Sequence, residues 1–335
     1  MNVPPTMRSW RIDGVGDPRD VARLVEIGTP RPGDGQLLVE VSRVGLNLPD
    51  LLIARGQFQR RPPTPYTPGA EFAGTVVAAG QGLEHRIGER VMCAPELDCA
   101  DGGLAEFVAV DARLAWALPH EVGLADAAAL SITYVTALLA LQRRGRMTAG
   151  ETVLVHGGAG GVGVAAIQLA LLGGADVIAT VGSAEKAEFC AGLGATVVNH
   201  READFVEFVG EHTGGRGVDI VVDPVGGELF DRSRRVIAWE GRHLVIGFAA
   251  GIPSVRANSV LLRNYAVIGV NRDEYRYRQP ETFAQMHREV IDLCAAGLRP
   301  VVGETFPMDR LLDGWDSLEG RNAIGKQLVA PGQRG

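Results

Sequence analysis

The stretch TVLVHGGAGGVGV at residues 152–164 decides the fold of this chain. Strand-forming residues run directly into a glycine-rich turn, and an apolar, alanine-rich pattern typical of a helix follows up to Leu172. Three glycines have the spacing G-x-G-x-x-G: Gly158, Gly160 and Gly163. Such glycines serve a tight turn, close backbone approach to a pyrophosphate and close helix–strand packing. The N–H groups at the helix start attract the anion, so the stretch predicts a dinucleotide site.

The bulk composition fits an ordinary globular enzyme and excludes several other classes. The 335 residues are 46% hydrophobic and 22% charged with a net charge of −7, so overall charge does not favour a nucleic-acid partner. No apolar run approaches the roughly 18 residues of a membrane span, and the N-terminus has no signal-peptide core. Four scattered cysteines form no disulfide framework, so a cytoplasmic location is expected. The length predicts roughly two domains.

The N-terminal part, residues 8–115, reads as β-rich. Short strand patterns separated by Gly, Pro and Asp turns predict a compact barrel-like domain, with strands at residues 36–44, 71–78, 90–93 and 105–110. Residues 125–143 have a helical pattern. After them a domain that binds the dinucleotide is expected.

From residue 152 to 270 strand and helix patterns alternate, which predicts a doubly wound parallel sheet of the α/β class. Within this alternation we expect a helix at 228–237 and a strand at 243–246. The final segment has one clear helix, residues 282–296, and a strand-like KQLVAP. We interpret it as returning to the first domain. The predicted domains are therefore 1–128 with 275–335, and 129–274.

The end of the second strand of this sheet indicates which dinucleotide binds. An acidic residue that would grip a ribose 2′-hydroxyl is absent there, because Asp176–Val181 is followed by Gly182 and Ser183. Ser183 as a donor and Lys186 as a point charge suit the 2′-phosphate of NADPH. The alternatives are that Lys186 is a solvated helix lysine and that Glu185, assigned here as an outward-facing first-turn acid, binds the ribose of NADH. His200 or Arg201, after the third strand, are further candidate contacts.

Several segments together resemble the zinc-free quinone oxidoreductases of the medium-chain dehydrogenase/reductase superfamily, the group that includes zeta-crystallin. The resemblance runs from about residue 8 to 332, and its segments are 44–58, 68–80, 133–141, 155–170, 180–205 and 217–227. It implies a GroES-like β-rich domain plus a Rossmann domain, with nicotinamide in the cleft between them. It also implies a homodimer through the Rossmann edge strand, here residues 265–270.

The resemblance implies that no metal is bound. Zinc-dependent relatives carry a cysteine where this chain has Asn47 and a histidine where it has Ala70. In the region of their structural zinc lobe this chain has only Cys93 and Cys99, which cannot supply a tetrahedral site, so we interpret both as small hydrophobic residues.

Residues that match the acceptor side of similar enzymes are candidates for catalysis. Asn47 would hydrogen-bond the acceptor oxygen, unless it is only a turn asparagine. Asp50 would orient Asn47 or bond backbone, unless it is only a cap before the helical turn that follows. Thr136 would lie near the nicotinamide, unless it is an ordinary helix threonine. Leu52 and Phe58 stand where tyrosines are frequent in the family, so two phenols are missing and water is the expected proton donor.

Glu71 also matches a family position, with a carboxylate paired to an arginine as the alternative. On the cofactor side the resemblance implies pyrophosphate contacts to the backbone of four residues: Ala159, Gly160, Gly161 and Val162. Gly247 and Phe248, and similarly Val270, would hold the nicotinamide amide against main chain. Lys326 would reach the adenosine phosphate, with a surface lysine as the alternative.

The resemblance and the motifs predict an NADPH:quinone oxidoreductase that transfers hydride to a small electrophilic acceptor. An electron-poor acceptor delocalises the incoming charge, so positioning and polar contacts supply most of the acceleration. Two alternatives remain open. One is a reductase of enones or 2-enoyl thioesters on the same scaffold, and the other is a non-catalytic, crystallin-like NADPH-binding protein.

Overall fold

A computed structural model describes residues 3–96 and 100–332 of the chain. The chain divides into two compact units. The β-rich unit contains the residues up to Ile132 and those from His287 onward, and the α/β unit is Thr133–Met286. The first boundary lies close to the predicted one after residue 128. The second lies later than the predicted one after residue 274, because the start of the last long helix belongs to the α/β unit.

Strands and helices are numbered in chain order over the described residues. The strands are β1 (Thr6–Ile12), β2 (Ala22–Gly28), β3 (Gln36–Gly45), β4 (Phe72–Ala79), β5 (Arg90–Cys93), β6 (Phe107–Asp111), β7 (Ala115–Ala117), β8 (Thr152–His156), β9 (Asp176–Val181), β10 (Thr196–Asn199), β11 (Val218–Asp223), β12 (Ile237–Val245), β13 (Ala266–Gly269), β14 (Val302–Pro307) and β15 (Lys326–Ala330). The α-helices are α1 (Pro18–Val21), α2 (Leu48–Ala54), α3 (Leu124–Ala127), α4 (Val135–Leu138), α5 (Gly161–Leu172), α6 (Ala184–Gly192), α7 (Phe205–His212), α8 (Gly227–Ser233), α9 (Ala257–Arg263), α10 (Arg272–Arg278), α11 (Pro280–Ala295) and α12 (Leu311–Glu319). No helix in the described ranges is long and apolar enough to cross a bilayer.

The β-rich unit is built on a sheet of order β14-β15-β3-β4-β5-β7, with β6 paired to β3 and a separate β1–β2 hairpin. The inner faces bury apolar side chains such as Leu37, Val39 and Phe72, all fully enclosed. Antiparallel pairing sets Leu328 of β15 opposite Gly45 at the end of β3. This register brings the start of β15 beside the turn that leads from β3 into α2.

The α/β unit contains a six-stranded sheet of order β10-β9-β8-β11-β12-β13 in which every pair is parallel. This is the doubly wound order 3-2-1-4-5-6, so the predicted fold of this unit is confirmed. The strands read as continuous apolar runs because helices cover both faces. Ligands of such sheets bind outside the carboxyl ends of the strands where the strand order reverses, here between β8 and β11.

Two local predictions differ from the structure. The helix expected at 228–237 ends at Ser233, and β12 begins at Ile237, so it includes most of the strand expected at 243–246. Glu240 has a positive φ of 58° inside β12, where Glu240, Gly241 and Arg242 interrupt the apolar pattern of the strand. The helical segment predicted at 125–143 is interrupted by π-helical turns at Leu130–Tyr134 and Leu139–Arg144 on either side of α4.

Candidate functional site

The glycine-rich turn after β8 divides its tasks differently from the prediction. Gly157, with φ of 62°, makes the tight turn, rather than Gly158. Gly158 is required for packing instead, because a Cβ there would lie 2.9 Å from the Cβ of Ala179 on β9. A Cβ on Gly163 would overlap the carbonyl oxygen of Gly157, so the third glycine lets α5 pack closely on the turn, as expected.

The backbone N–H groups of this turn are only partly available to an anion. The Gly158 N–H donates to the Thr180 carbonyl at 3.0 Å, and the Gly160 N–H donates to the Gly157 carbonyl at 2.9 Å. The expectation that Gly160 offers its N–H to a pyrophosphate is therefore wrong, because the turn uses it. The first bond inside α5 runs from Val164 to the Gly160 carbonyl, at 2.8 Å.

Three expected donors remain, namely the N–H groups of Ala159, Gly161 and Val162, which precede that first helical bond. Gly160 contributes by its missing side chain, since a Cβ there has a single neighbour, the Gly157 oxygen at 3.4 Å. The surface beside the helix start is therefore bare backbone with positive potential, which suits an anion.

Basic side chains surround the end of β9. A Cβ on Gly182 would lie 3.4 Å from Nε2 of His200 and 3.5 Å from Nε of Arg201. Ser183 is the N-cap of α6, and its Oγ accepts a hydrogen bond of 3.3 Å from the Lys186 N–H, which leaves its own O–H to donate. Partial burial, together with the nearby Arg201 charge, holds the pKa of Lys186 below its usual range. The sequence-predicted residues Gly182, Ser183, Lys186 and His200 thus lie together.

Glu185, the rival residue in the first turn of α6, is exposed and raises the pKa of Lys186 by its charge. Its position agrees with the interpretation of an outward-facing first-turn acid.

The residues expected beside the nicotinamide lie after β12 and β13 and in α4. Gly247 donates its N–H to the Asp223 carbonyl at 3.4 Å, and Val270 donates its N–H to the Val245 carbonyl at 2.9 Å. The Val270 N–H is thus used within the sheet, so only its carbonyl remains for a ligand. Phe248 is 43% exposed, and Thr136 is buried within α4.

In the β-rich unit a buried ion pair adjoins Asn47. Lys326, at the start of β15, donates to the Asn47 Oδ1 at 2.5 Å and pairs with Oε1 of Glu71. The Lys326 side chain is 4% exposed and that of Glu71 is fully buried. The predicted contact of Lys326 with an adenosine phosphate is therefore wrong, since a buried ammonium already paired with a carboxylate cannot reach one. The surface-lysine alternative is wrong as well, and Glu71 pairs with a lysine rather than an arginine.

The Asn47 amide has every hydrogen-bonding group engaged. Its Nδ2 donates to the Gly45 carbonyl at 3.0 Å and to Glu71 Oε1 at 3.3 Å, while its Oδ1 accepts from Lys326. The other carboxylate oxygen of Glu71 accepts from the Ile132 N–H at 2.5 Å. Contact of Asn47 with an acceptor oxygen therefore requires that one of these bonds be exchanged.

Gly45, which the sequence analysis did not single out, makes room for this cluster. A Cβ on Gly45 would overlap the Ala128 carbonyl and Glu71 Oε1, and it would lie 2.7 Å from Cε of Lys326. The glycine at the end of β3 thus leaves the space in which the ion pair lies. A charged residue inside each of two apolar strand segments, Glu71 and Lys326, is the sequence signal that could have suggested their pairing.

Asp50 lies in the first turn of α2, three residues after the N-cap residue Asn47. It is 3% exposed, and its Oδ2 accepts the Asn47 backbone N–H at 3.0 Å, so the cap interpretation agrees with the structure. Burial raises the pKa of Asp50 to about 7, against the lowering effect of two backbone N–H groups and the Lys326 charge. Leu52 and Phe58 are half-buried, and Phe58 packs against the core of the unit.

Known protein families match both units of the chain. A family model described as "Alcohol dehydrogenase GroES-like domain" matches residues 33–120, and one described as "Zinc-binding dehydrogenase" matches residues 161–292. Quinone oxidoreductase-like protein 2 of Rattus norvegicus is 37% identical over 307 residues, which cover 90% of this chain and 87% of the relative. The chain belongs to the quinone oxidoreductase family of the medium-chain dehydrogenase/reductases.

Two solved structures of this superfamily extend the comparison. A mycobacterial protein complexed with NADPH is 32% identical, with a TM-score of 0.88, over 97% of this chain and all of the other. The CurK enoyl reductase is 28% identical, with a TM-score of 0.86, over 98% of this chain and 99% of the other. The predicted fold, a GroES-like β-rich domain with a doubly wound Rossmann domain, is confirmed, and the family member described here is an oxidoreductase of this superfamily.

Whether this quinone oxidoreductase family member can bind a metal ion depends on the arrangement of its side chains. Residues 3–96 and 100–332 contain no group of three His, Cys, Asp or Glu side chains arranged to hold a metal ion. Cys93 is fully buried, and burial raises its thiol pKa, which agrees with a small hydrophobic residue. Cys99 lies outside the described residues. The absence of a metal stays a prediction.

Proposed function

We propose that this protein is an NADPH-dependent oxidoreductase that transfers hydride to a quinone-type acceptor. The basic cluster around Gly182, formed by Lys186, His200 and Arg201, is the observation that carries the cofactor half of the proposal. A 2′-phosphate adds two negative charges there, and no carboxylate at the end of β9 opposes them. The quinone half draws its support from the relatives.

The turn after β8 fits the pyrophosphate of such a cofactor. Ala159, Gly161 and Val162 would donate backbone N–H groups, and Gly160 would permit close approach because nothing projects from it. NADPH supplies the hydride when bound. Phe248, Gly247 and the Val270 carbonyl remain the candidates for holding the nicotinamide amide.

On the acceptor side the cluster of Asn47, Glu71 and Lys326 is the candidate for steadying negative charge. A conjugated acceptor gains charge on an oxygen as it takes up hydride, and preorganised donors in a buried site stabilise that charge. An Asn47 donor could exchange its bond to Glu71 for one to the acceptor, because that bond, at 3.3 Å, is the longer of its two. Thr136 remains a candidate on the α/β side.

A reductase of enones or 2-enoyl thioesters is the second candidate, favoured by the likeness to an enoyl reductase structure. A non-catalytic NADPH-binding protein is the third. The same cofactor site serves all three, so the acceptor decides between them.

We also propose a homodimer through the edge of the parallel sheet. β13 is the edge strand of its sheet, and two large apolar side chains of α9, the helix that directly precedes it in the chain, are exposed: Leu261 at 75% and Leu262 at 74%. An unpaired edge beside an apolar surface invites pairing with a second copy.

The test is NADPH oxidation with three acceptor classes under identical conditions: a naphthoquinone, a simple enone and a 2-enoyl-CoA. We expect the highest kcat/KM with the quinone. Turnover of the enoyl-CoA without turnover of the quinone would establish the second candidate instead. Binding of NADPH by calorimetry with no oxidation by any acceptor would establish the third.

A further inference from the structure

A small pocket in the β-rich unit joins two groups that the proposed reaction has not used. Asp50 and Tyr66 both line it, together with the backbone around Gly69 and the half-buried Glu96. Its cavity volume is about 10 Å³, which is the space of a single water molecule. The pocket is thus suited to one water between a carboxyl group and a phenol.

The Tyr66 hydroxyl is the less satisfied of the two groups. Tyr66 is 4% exposed, and within the described residues its hydroxyl has no hydrogen-bond partner. Two hydrogen bonds with Ile12 fix its backbone. The Tyr66 N–H donates to the Ile12 carbonyl at 3.2 Å, and the Ile12 N–H donates to the Tyr66 carbonyl at 2.8 Å. A buried hydroxyl without a partner is unfavourable, so this one requires a ligand that can exchange hydrogen bonds with it.

The Asp50 carboxyl is the group that can supply a proton. Its surroundings contain Lys326 from β15, whose charge favours the carboxylate, and Glu71, which directly precedes β4 and whose charge opposes it. Burial outweighs the backbone bonds and raises the pKa of Asp50 to about 7, so a large fraction is protonated at neutral pH. Burial, with a smaller contribution from the Asp50 charge, raises the pKa of Tyr66, which keeps that phenol protonated.

We propose that Asp50, connected to Tyr66 by one water molecule, is the proton source for the reduced acceptor. The proposal rests on the function proposed above and supplies what the missing tyrosines at Leu52 and Phe58 would have provided. The acceptor would receive a hydride, that is, two electrons and one hydrogen nucleus, from a bound reduced nicotinamide. The acceptor oxyanion then forms an O–H bond with the proton that leaves the Asp50 carboxyl through the pocket water. Solvent returns a proton to the Asp50 carboxylate by the same water and the Tyr66 hydroxyl.

The test combines a titration without cofactor and a pH profile with it. Carboxyl ¹³C NMR of protein labelled at aspartate, compared with Asp50→Asn, measures the Asp50 titration directly. We expect it near pH 7. In wild type, kcat with a naphthoquinone should fall as the pH rises above 7, because the donor loses its proton. Asp50→Asn keeps an acceptor for the Asn47 N–H. Its kcat should be about 10²-fold lower than that of wild type and should no longer depend on pH between 6 and 8.

Tyr66→Phe should slow kcat and lower the solvent isotope effect, while leaving the Asp50 titration in place. Asp126→Asn is the control, because Asp126 is a partly buried carboxyl of the same unit whose pKa is also raised by burial. An Asp50 titration near the usual value of 3.8, or an active Asp50→Asn with the wild-type profile, would overturn the proton source alone. Wild type that reduces no acceptor would overturn both this proposal and the proposed function.

Discussion

The Lys326 ammonium lies 2.5 Å from the Asn47 amide oxygen, although 279 residues separate the two in the chain. The same ammonium pairs with the buried carboxylate of Glu71. A buried ion pair returns its desolvation cost only while both partners are present. The candidate acceptor site therefore depends on β15, the last strand in chain order.

Removing the ammonium should destabilise the β-rich unit strongly. Lys326→Met leaves Glu71 buried without its counter-charge, so we expect a loss of about 3–5 kcal/mol in the free energy of unfolding. The double variant with Glu71→Gln should recover part of this loss. Urea unfolding followed by fluorescence and circular dichroism measures both. Arg278→Met, which breaks an exposed pair with Glu274, is the control and should cost less than about 1 kcal/mol. Equal losses for the two single variants would contradict the role of Lys326.

Two glycines of the turn after β8 should separate cofactor binding from folding. Gly160 has an extended backbone with φ of −76° and an unobstructed Cβ position, so Gly160→Val should fold normally yet lose more than about 10²-fold in NADPH affinity. Gly163→Val should destabilise the protein itself, because its side chain meets the Gly157 carbonyl. Thermal unfolding and calorimetric NADPH titration distinguish the two effects. Tight NADPH binding by Gly160→Val would rule out a pyrophosphate beside that residue.

Reversing one charge at the end of β9 should change the cofactor preference. Lys186→Glu places a carboxylate where the 2′-phosphate is expected, so NADPH affinity should fall at least tenfold while NADH affinity changes little. Arg278→Glu makes the same charge change at an exposed position of the same unit and should affect neither cofactor. Calorimetry with both cofactors measures the effect. An equal fall for NADPH and NADH in Lys186→Glu would show that the cofactor assignment is wrong.

The raised pKa of Asp50 should also appear in stability. The pKa is about 7 in the folded protein against 3.8 for the free group, so the folded state holds the proton more tightly. This contribution is fully present below pH 4 and is lost as the pH rises through 7. At about 1.36 kcal/mol per pKa unit, it amounts to on the order of 4 kcal/mol. Burial lowers the pKa of His156, in the α/β unit, to about 4. The effect of His156 on stability therefore changes with pH in the opposite direction.

Comparison with Asp50→Asn isolates the Asp50 contribution, because His156 is the same in both proteins. As the pH rises from 5 to 8, we expect wild type to lose free energy of unfolding relative to the variant. Urea unfolding at those two pH values is the measurement. A difference between the two proteins that does not change with pH would mean that Asp50 is ionised in the folded state throughout this range.

The apolar surface beside β13 should hold two copies together. Replacing both Leu261 and Leu262 with glutamate places charges on that surface, so we expect a monomer by light scattering where wild type is a dimer. Ile87→Glu introduces a charge at an exposed apolar residue of the β-rich unit and should leave the dimer intact. A variant that remains dimeric would place the interface elsewhere.

The sequence predicted the α/β unit well because its signals are local. A strand, a glycine turn and a helix follow one another within residues 152–172, and their order determines the doubly wound sheet. Even there, the division of tasks between Gly157 and Gly158 depends on a φ angle and on Ala179 in the neighbouring strand. Position in the motif alone could not distinguish the two.

The acceptor side was less predictable because its contacts are distant in sequence. Lys326 was expected at a phosphate or at the surface, and only the pairing of β15 with β3 places it against Glu71 and Asn47. Asp50 was expected to orient Asn47, to bond backbone or to cap the helix, and in the structure its Oδ2 accepts the Asn47 backbone N–H. Its shifted pKa follows from burial by the whole unit, which no short pattern encodes.

The position of β15 between β14 and β3 affects the order in which the chain can fold during its synthesis. Glu71 leaves the ribosome long before Lys326 does, so its carboxylate has no counter-charge from Lys326 until β15 has been synthesised. The α/β unit, whose residues are contiguous, can collapse during that interval. The β-rich half can close only after translation reaches the lysine.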